Sequence, residues 1–448
     1  MHWFIKNFKK YKDKEAIVYN ENIYTYKMLM QEIENARKYI KQKEVKEYEV
    51  VTIIGDYSFQ AIAMFYALVE NKNTIVPITT KIEKEIESRI YEGYADKIIK
   101  ITDSKYMIEE VENKRLDKHE LFNILKERKS SGLILFSSGS TGKPKAMLED
   151  LDLILSNYKE GKTSVRTLVF LMFDHIGGVN TMFHILSSGG CMIIPPSRNT
   201  EDVMKIIEKY KVEILPTSPT FLNLLLISEA YKDKDLSSLK TISYGTEPMP
   251  PIVLNRMYEI FPKVKLKQTY GLSEVGILST KSKSSKSLYM KIGGDNFEYK
   301  IIDNELYIKS KIAMLGYLNA PSPFTEDGFF PTGDTVDVDD EGYIRIYGRL
   351  KEFINVGGQK VLPSEIEGVI MEVKEIKDVM VKPEKNPIMG EMVVANVSLK
   401  GDYNKKEMKT KIIKHCKEKL EDYKIPMKIK FVEEVEFGER FKKIRSKS

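Results

Sequence analysis

Apolar positions along the chain switch repeatedly between two rhythms. Val50-Val51-Thr52-Ile53-Ile54 is a short continuous run closed by Gly55-Asp56, the pattern of a buried strand. From Phe59 to Val69 the residues Ile62, Phe65 and Leu68 recur at helical spacing, and Thr74-Ile75-Val76-Pro77-Ile78 returns to the strand pattern. Strand, helix and strand with short connections predict a right-handed crossover in a parallel sheet. The alternation recurs: a helix predicted from Asp202 to Tyr210 precedes a strand from Val212 to Leu215, and "KTISYG" reads as another strand ended by glycine. The predicted fold class is α/β, with a large layered N-terminal body of parallel-rich sheets reaching to about residue 345.

The texture then changes. "TGDTVDVDDEGYIRIYGR" is two alternating strands around the turn Asp339-Asp340-Glu341-Gly342. Beyond Arg349 lysine and glutamate become more frequent. One helical pattern follows Pro363-Ser364, another runs from Lys405 to Leu420, and the strands "DVMVKP" and "MVVANVSL" lie between them. The expected organisation is a body over 1–348, a connecting segment at 349–351 and a small α+β domain over 352–448. "TKSKSSKSLYMK" reads as a polar loop.

Composition mainly excludes. A net charge of +6 over 448 residues does not by itself imply a nucleic-acid partner, and pairs such as Lys405-Lys406 read as solvated faces. Cys191 and Cys416 are far apart and in no metal-ligand spacing, so a reducing, cytoplasmic setting is expected. The start "MHWFIKNFKKYKDKEAIVYN" lacks a signal-peptide core, and no apolar run reaches the roughly 18 residues of a membrane span.

The stretch with chemistry in it is "LFSSGSTGKPK", Leu135 to Lys145, where an apolar run turns into hydroxylated residues, glycines and lysines. A Walker loop fails at both ends. Ser137 stands where its first glycine belongs, and Pro144 follows Gly142-Lys143 in place of Ser or Thr. A kinase-type glycine loop fails as well. The residues still suit an anion: Gly139 and Gly142 let backbone N–H groups approach, Ser138, Ser140 and Thr141 add hydroxyl donors, and Lys143 and Lys145 add charge. Taken alone, the stretch is equally a Ser/Gly-rich surface turn.

It is not alone. Ser138 to Lys145 resembles the phosphate loop of the adenylate-forming ligases, the superfamily of acyl-CoA synthetases, luciferases and peptide-synthetase adenylation domains, with Ala146 where glycine is usual. Further motifs follow in family order over about three quarters of the chain. "YGTEP" (Tyr244 to Pro248) resembles the adenine-wall segment, and "TYGLSEVG" (Thr269 to Gly276) the Tyr-Gly-x-Thr/Ser-Glu motif. "TGD" (Thr332 to Asp334) resembles the ribose motif, and "GRLKEFINVGGQKVLPSEIE" (Gly348 to Glu367) the hinge and the start of a mobile lid.

The resemblance implies a two-step reaction. A carboxylate attacks the α-phosphate of ATP to give an acyl-adenylate and pyrophosphate, and a thiol of coenzyme A or of a carrier protein's phosphopantetheine then displaces AMP. It assigns Ser138, Gly139, Ser140, Thr141, Gly142 and Lys145 to the phosphates, and Glu274 with Thr141 to Mg2+. Gly245, Thr246, Glu247, Tyr270, Gly271, Ser273, Asp334 and Arg349 fall to the nucleotide. Lys351 is the hinge, and Gly357-Gly358 lines the path of the thiol arm.

Two assignments stay open. "FDHIGGVN" (Phe173 to Asn180) places His175, with Gly177 and Gly178, at the substrate carboxylate; a shifted alignment puts Asp174 where amino-acid-activating relatives hold the substrate amine. The first fits more fully. At the carboxyl end, "FGERFKKIRSKS" offers Lys442 as the lysine of the adenylation step, or Lys443 in the adjacent register. Beside the carboxylic-acid ligase stand an amino-acid-adenylating ligase and a nucleotide-binding regulator of the same fold. Nucleic acid comes last, and oligomeric state is open.

Overall fold

The computed structural model describes residues 2–102, 105–137, 144–161 and 163–435. The predictions for Ser138, Gly139, Ser140, Thr141, Gly142, Lys442 and Lys443 therefore lie outside the described residues.

Among the described residues, two seven-stranded sheets build the body. The first runs in the order Lys265–Gln268, Thr241–Tyr244, Ile214–Thr217, Arg166–Leu168, Cys191–Ile193, Glu15–Tyr19 and Asn22–Thr25. It is parallel except for its last pair. In the second, Gly132–Ser137, Thr74–Ile78, Val50–Ile54 and Lys97–Thr102 form a parallel centre, and both edges are antiparallel. One apolar core takes in Ile17 and Met192 from the first sheet, Val51, Ile75, Leu133 and Met147 from the second, and the helices between. The helix Phe59–Glu70 is buried at every position from Phe59 to Val69, as a helix covered on both sides must be. Ser58 caps it by accepting from the Ala61 amide.

The predicted strand from Val212 is observed as Ile214–Thr217. Val212 instead closes the helix Thr200–Tyr210: Lys211 takes the left-handed conformation and the Val212 amide donates back to the Ile207 carbonyl.

A larger correction concerns the last part of the body. From residue 279 to 349 the chain is not layered α/β but a six-stranded antiparallel sheet, apart from Gly316–Tyr317 at the edge of the second seven-stranded sheet. "TKSKSSKSLYMK" belongs to it as a hairpin, Ser279–Ser282 against Tyr289–Gly293, and not as a loop. Thr280 and Met290 face inward, with Thr280 Oγ1 donating to the Gln268 carbonyl.

Strand Ile344–Arg349 leads through a one-turn 3-10 helix, Leu350–Glu352, to a C-terminal unit that begins with strand Ile354–Val356. Among its described residues that unit has its own five-stranded sheet, the helices Pro363–Ile370 and Lys405–Lys419, and a separate core around Ile366, Val379, Val393 and Ile412. Among the described residues no helix is long and apolar enough to cross a membrane.

Candidate active site

The glycine- and hydroxyl-rich stretch connects the strands Gly132–Ser137 and Lys145–Asp150, which pair with Ser137 opposite Lys145. Its exit is clamped from outside the hairpin. Asn319 Oδ1 accepts from the Ala146 amide at 2.9 Å, and Asn319 Nδ2 donates to the Pro144 carbonyl at 3.0 Å. The short strand Gly316–Tyr317 pairs alongside, with Tyr317 opposite Met147. Side chains alternate along a strand, so Lys145, Met147, Glu149 and Tyr317 share one face.

That face gathers charge. Lys145 Nζ sits 4.7 Å from the Tyr317 ring centre, and the Tyr317 hydroxyl donates to Glu274 Oε1 at 2.9 Å. Glu274 occupies the turn between Gly271–Leu272 and Gly276–Ile277, a two-strand ladder so close that a Cβ on Gly271 would lie 2.8 Å from the Gly276 carbonyl. Ser273 is in the same turn. Two motifs distant in sequence thus meet through Tyr317. Burial, reinforced by the charges of Glu274 and Asp150, holds the Glu149 carboxyl well above the usual carboxylate range.

A second cluster surrounds Asp334, whose strand pairs it with Arg349. The Tyr270 hydroxyl donates to Asp334 Oδ2 at 2.6 Å, and Arg349 Nε lies 3.4 Å from Oδ1. Burial raises the Asp334 carboxyl; Arg349 and Tyr270 oppose that shift. Each carboxylate oxygen retains a second acceptor site, enough for a diol. In the adjoining segment, Thr246 has a φ of 72° and Glu247 Oε1 accepts from the Thr220 amide at 2.7 Å, at the start of helix Pro219–Ser228. Gly245 abuts Thr269, whose Oγ1 would stand 2.5 Å from a Cβ.

His175 caps the helix Ile176–Ser187. Its Nδ1 accepts from the Gly177 amide at 3.0 Å, which places the proton of the neutral ring on Nε2. Gly178 has a packing reason, since a Cβ there would lie 2.1 Å from the Met172 carbonyl oxygen. Asp174 is buried and paired at 3.0 Å with Arg89 of helix Glu83–Glu92, which also bonds Glu85 at 3.1 Å and lies 5.9 Å from the Phe136 ring centre.

In the C-terminal unit, Gly357 and Gly358, at φ 58° and 89°, are the two-residue turn of the hairpin Ile354–Val356/Gln359–Val361. Asn355 Oδ1 accepts from the Gly358 amide. Lys351 is exposed in the connecting 3-10 turn.

Tyr317, Asn319, Glu149 and Arg89 escaped the sequence reading. Tyr317, Asn319 and Arg89 carry no spacing signature. Glu149 had one: an acid breaking the apolar strand "AMLED".

Residues 4–318 match the model of the family described as AMP-binding enzyme, and residues 365–442 that of the AMP-binding enzyme C-terminal domain. A 4-coumarate–CoA ligase of Narcissus pseudonarcissus is 31% identical over 294 residues, 58% of this chain and 54% of the relative. A 2-succinylbenzoate–CoA ligase of Staphylococcus epidermidis is 27% identical over 355 residues, 74% of this chain and 72% of the relative. The chain spans about half to three fifths of the length of its 4-coumarate ligase relatives. Among solved structures, an anthranilate CoA ligase in complex with anthranoyl-AMP superposes with a TM-score of 0.84 at 19% identity, covering 98% of this chain and 95% of the other. The o-succinylbenzoate CoA synthetase of Bacillus subtilis, in complex with its acyl-adenylate intermediate, gives 0.78 at 18% identity, covering 99% and 96%. At those identities the likeness concerns the fold.

Proposed function

We propose, on the premise that this chain belongs to the AMP-binding enzyme family, that it is an AMP-forming acid–thiol ligase. The observation that supports this best is the convergence of Lys145, Tyr317 and Glu274 beside the loop hairpin. Joining a carboxylate to the α-phosphate of ATP brings two anions together, so the site must neutralise charge and fix geometry.

Lys145, with Ser138, Ser140 and Thr141, would hold the β- and γ-phosphates that leave as pyrophosphate. Asp334 would accept the ribose hydroxyls, kept in place by Tyr270 and Arg349. Glu274 presents a carboxylate oxygen already oriented by a neutral hydroxyl, hard donor chemistry that fits Mg2+. Glu274 and Thr141 would hold that cation, which when bound offsets the phosphate charge. Among the described residues no cluster of three or more acidic, histidine or cysteine side chains stands ready for a metal, so phosphates and water would complete the coordination.

For the acid, His175 would donate from Nε2 to the substrate carboxylate, with Lys442 or Lys443 entering from the C-terminal unit. The Arg89–Asp174 pair favours an acid without an α-amino group, because the Asp174 charge is already met inside the protein. The relatives' names favour coenzyme A as acceptor over a carrier protein and an aromatic acid as substrate.

The test is acid-dependent pyrophosphate release with magnesium-ATP over aryl, short-chain, long-chain and amino acids, followed by thioester formation with coenzyme A. Release with an aryl acid, abolished by Lys442→Ala or Lys443→Ala, is expected. ATP binding without release for any acid would point instead to a nucleotide-binding regulator.

A further inference from the structure

The strand leaving the phosphate-loop stretch carries an acid, Glu149, on a face where it lies beside the apolar Met147 and Leu133. Glu149 pairs across the hairpin with Leu133, and both Leu133 and Met147, on the same face, belong to the core between the two sheets. Glu149 is 1% exposed, and its Oε1 has no hydrogen-bond partner among the described residues. A buried carboxylate with an unpaired oxygen opposes folding, and a leucine or methionine would suit this position better. The fold supplies no reason for the acid.

The surroundings supply one. Glu149 shares its face with Lys145 and with the Tyr317 that orients Glu274, and the Met314 amide donates to the Glu274 carbonyl while the next amide, Leu315, donates to the Leu148 carbonyl, which ties the segments of the two acids together. Two carboxylates brought together in a protein interior repel unless one of them holds a proton or a cation joins them. We propose that Glu149 is a second carboxylate of the divalent-cation site, contributing its unpaired oxygen to the hydrated cation held by Glu274. The proposal rests on the ligase reading, in which Glu274 holds magnesium beside the phosphates of ATP. Magnesium retains several waters, and a carboxylate set behind the first would hold one of them and so steady the bound cation.

The role separates two quantities that a packing role would tie together. With the cation absent, Glu149 weakens the fold; with it present, Glu149 strengthens binding. The experiment measures Mn2+ binding to the full chain by loss of the free Mn2+ electron paramagnetic resonance signal, with a non-hydrolysable ATP analogue present. Thermal unfolding without cation is recorded alongside. Glu149→Gln and Glu149→Met are expected to raise the Mn2+ dissociation constant about tenfold or more, with an unfolding midpoint equal to or above that of the wild type. Glu149→Asp is expected to recover part of the affinity.

Wild-type Mn2+ affinity in a folded Glu149 variant overturns the proposal, as does failure of both Gln and Met variants to fold, which would make the acid structural. Glu274→Gln tells the two readings apart. If it alone weakens Mn2+ binding, the Glu149 proposal fails and the ligase site stands. If neither acid matters, the cation site of the ligase reading fails with it.

Discussion

Asp174 and Arg89 carry opposite charges in a part of the molecule where water offers neither much help, their side chains being 4% and 12% exposed. Removing one partner of such a pair costs more than removing both, because the survivor keeps its desolvation penalty. Arg89→Met is expected to lower unfolding stability by about 3 kcal/mol in urea titrations, and the Arg89→Met/Asp174→Leu double variant to recover most of it. Additive losses would refute the coupling. Asp152 makes a different prediction. It lies 2.8 Å from His2 Nε2 and accepts from Lys72 Nζ at 3.0 Å and the Ser131 amide at 2.6 Å. Burial opposes its charge, yet these partners hold its carboxyl well below the ordinary range. A carboxyl lowered by folding stabilises the native state fully above its unfolded value, near pH 4, and loses that contribution as pH falls. Asp152→Asn should therefore cost about 2 kcal/mol at pH 7 and give a shallower loss of stability below pH 4 than the wild type, as measured by urea unfolding across pH. Equal acid slopes would remove Asp152 from the account. The resemblance pointed to Glu274 and to Asp334 with its partners Tyr270 and Arg349, but the Tyr317 that orients Glu274 was invisible because no local pattern distinguishes such a tyrosine from a core one.

Elements were legible where periodicity and burial agree. The run Val50–Ile54 pairs in parallel with Thr74–Ile78 across the helix Phe59–Glu70, as the short connections required. The hairpin Ser279–Ser282/Tyr289–Gly293 was not legible, because its few inward residues are interleaved with serines and lysines whose charges are met elsewhere. Lys283 reaches Asp339 and Glu341, and Lys286 lies over the Tyr258 ring. The Gly177-Gly178 pair resembles a substrate feature, yet Gly178 is also required by the first turn of the helix Ile176–Ser187. A methyl group there would sit 2.1 Å from a backbone oxygen, which has no rotamer through which to yield. Gly178→Ala is expected to lower stability by about 2 kcal/mol in thermal unfolding. Because His175 caps the same helix, the variant should also raise the KM for the acid more than that for ATP. An unchanged acid KM in a destabilised variant would confine Gly178 to packing.

At the scale of the whole chain, the body and the C-terminal unit meet along a seam that holds them loosely. A cavity of about 440 Å³ opens between Leu226, Ile252 and Arg256 on one side and Met371, Leu399 and Lys400 on the other. Asn223 Nδ2 reaches Asp378 Oδ1 across it at 3.3 Å. Burial and the facing Arg256 charge lower the Lys400 pKa while Glu375 and Glu229 oppose that shift, so the seam carries charges of both signs as well as empty space. A contact of this kind can break and reform in another orientation at little cost. The hinge expected at residues 349–351 would let the C-terminal unit turn between adenylation and thioester formation. Arg349 is extended at φ −92° and ψ 139°, and Leu350 opens the 3-10 turn, so proline fits the present geometry at Leu350 while forbidding others. Leu350→Pro should then fold normally and separate the two half-reactions. Whichever step uses the present arrangement stays within about threefold of wild type; the other falls by more than about tenfold, since losing access to its conformation costs upwards of 1.4 kcal/mol. Pyrophosphate release and the transfer of a preformed acyl-adenylate to coenzyme A are measured separately. If both fall together, the proline has damaged the site; if neither falls, the chain does not turn at this segment to finish its reaction.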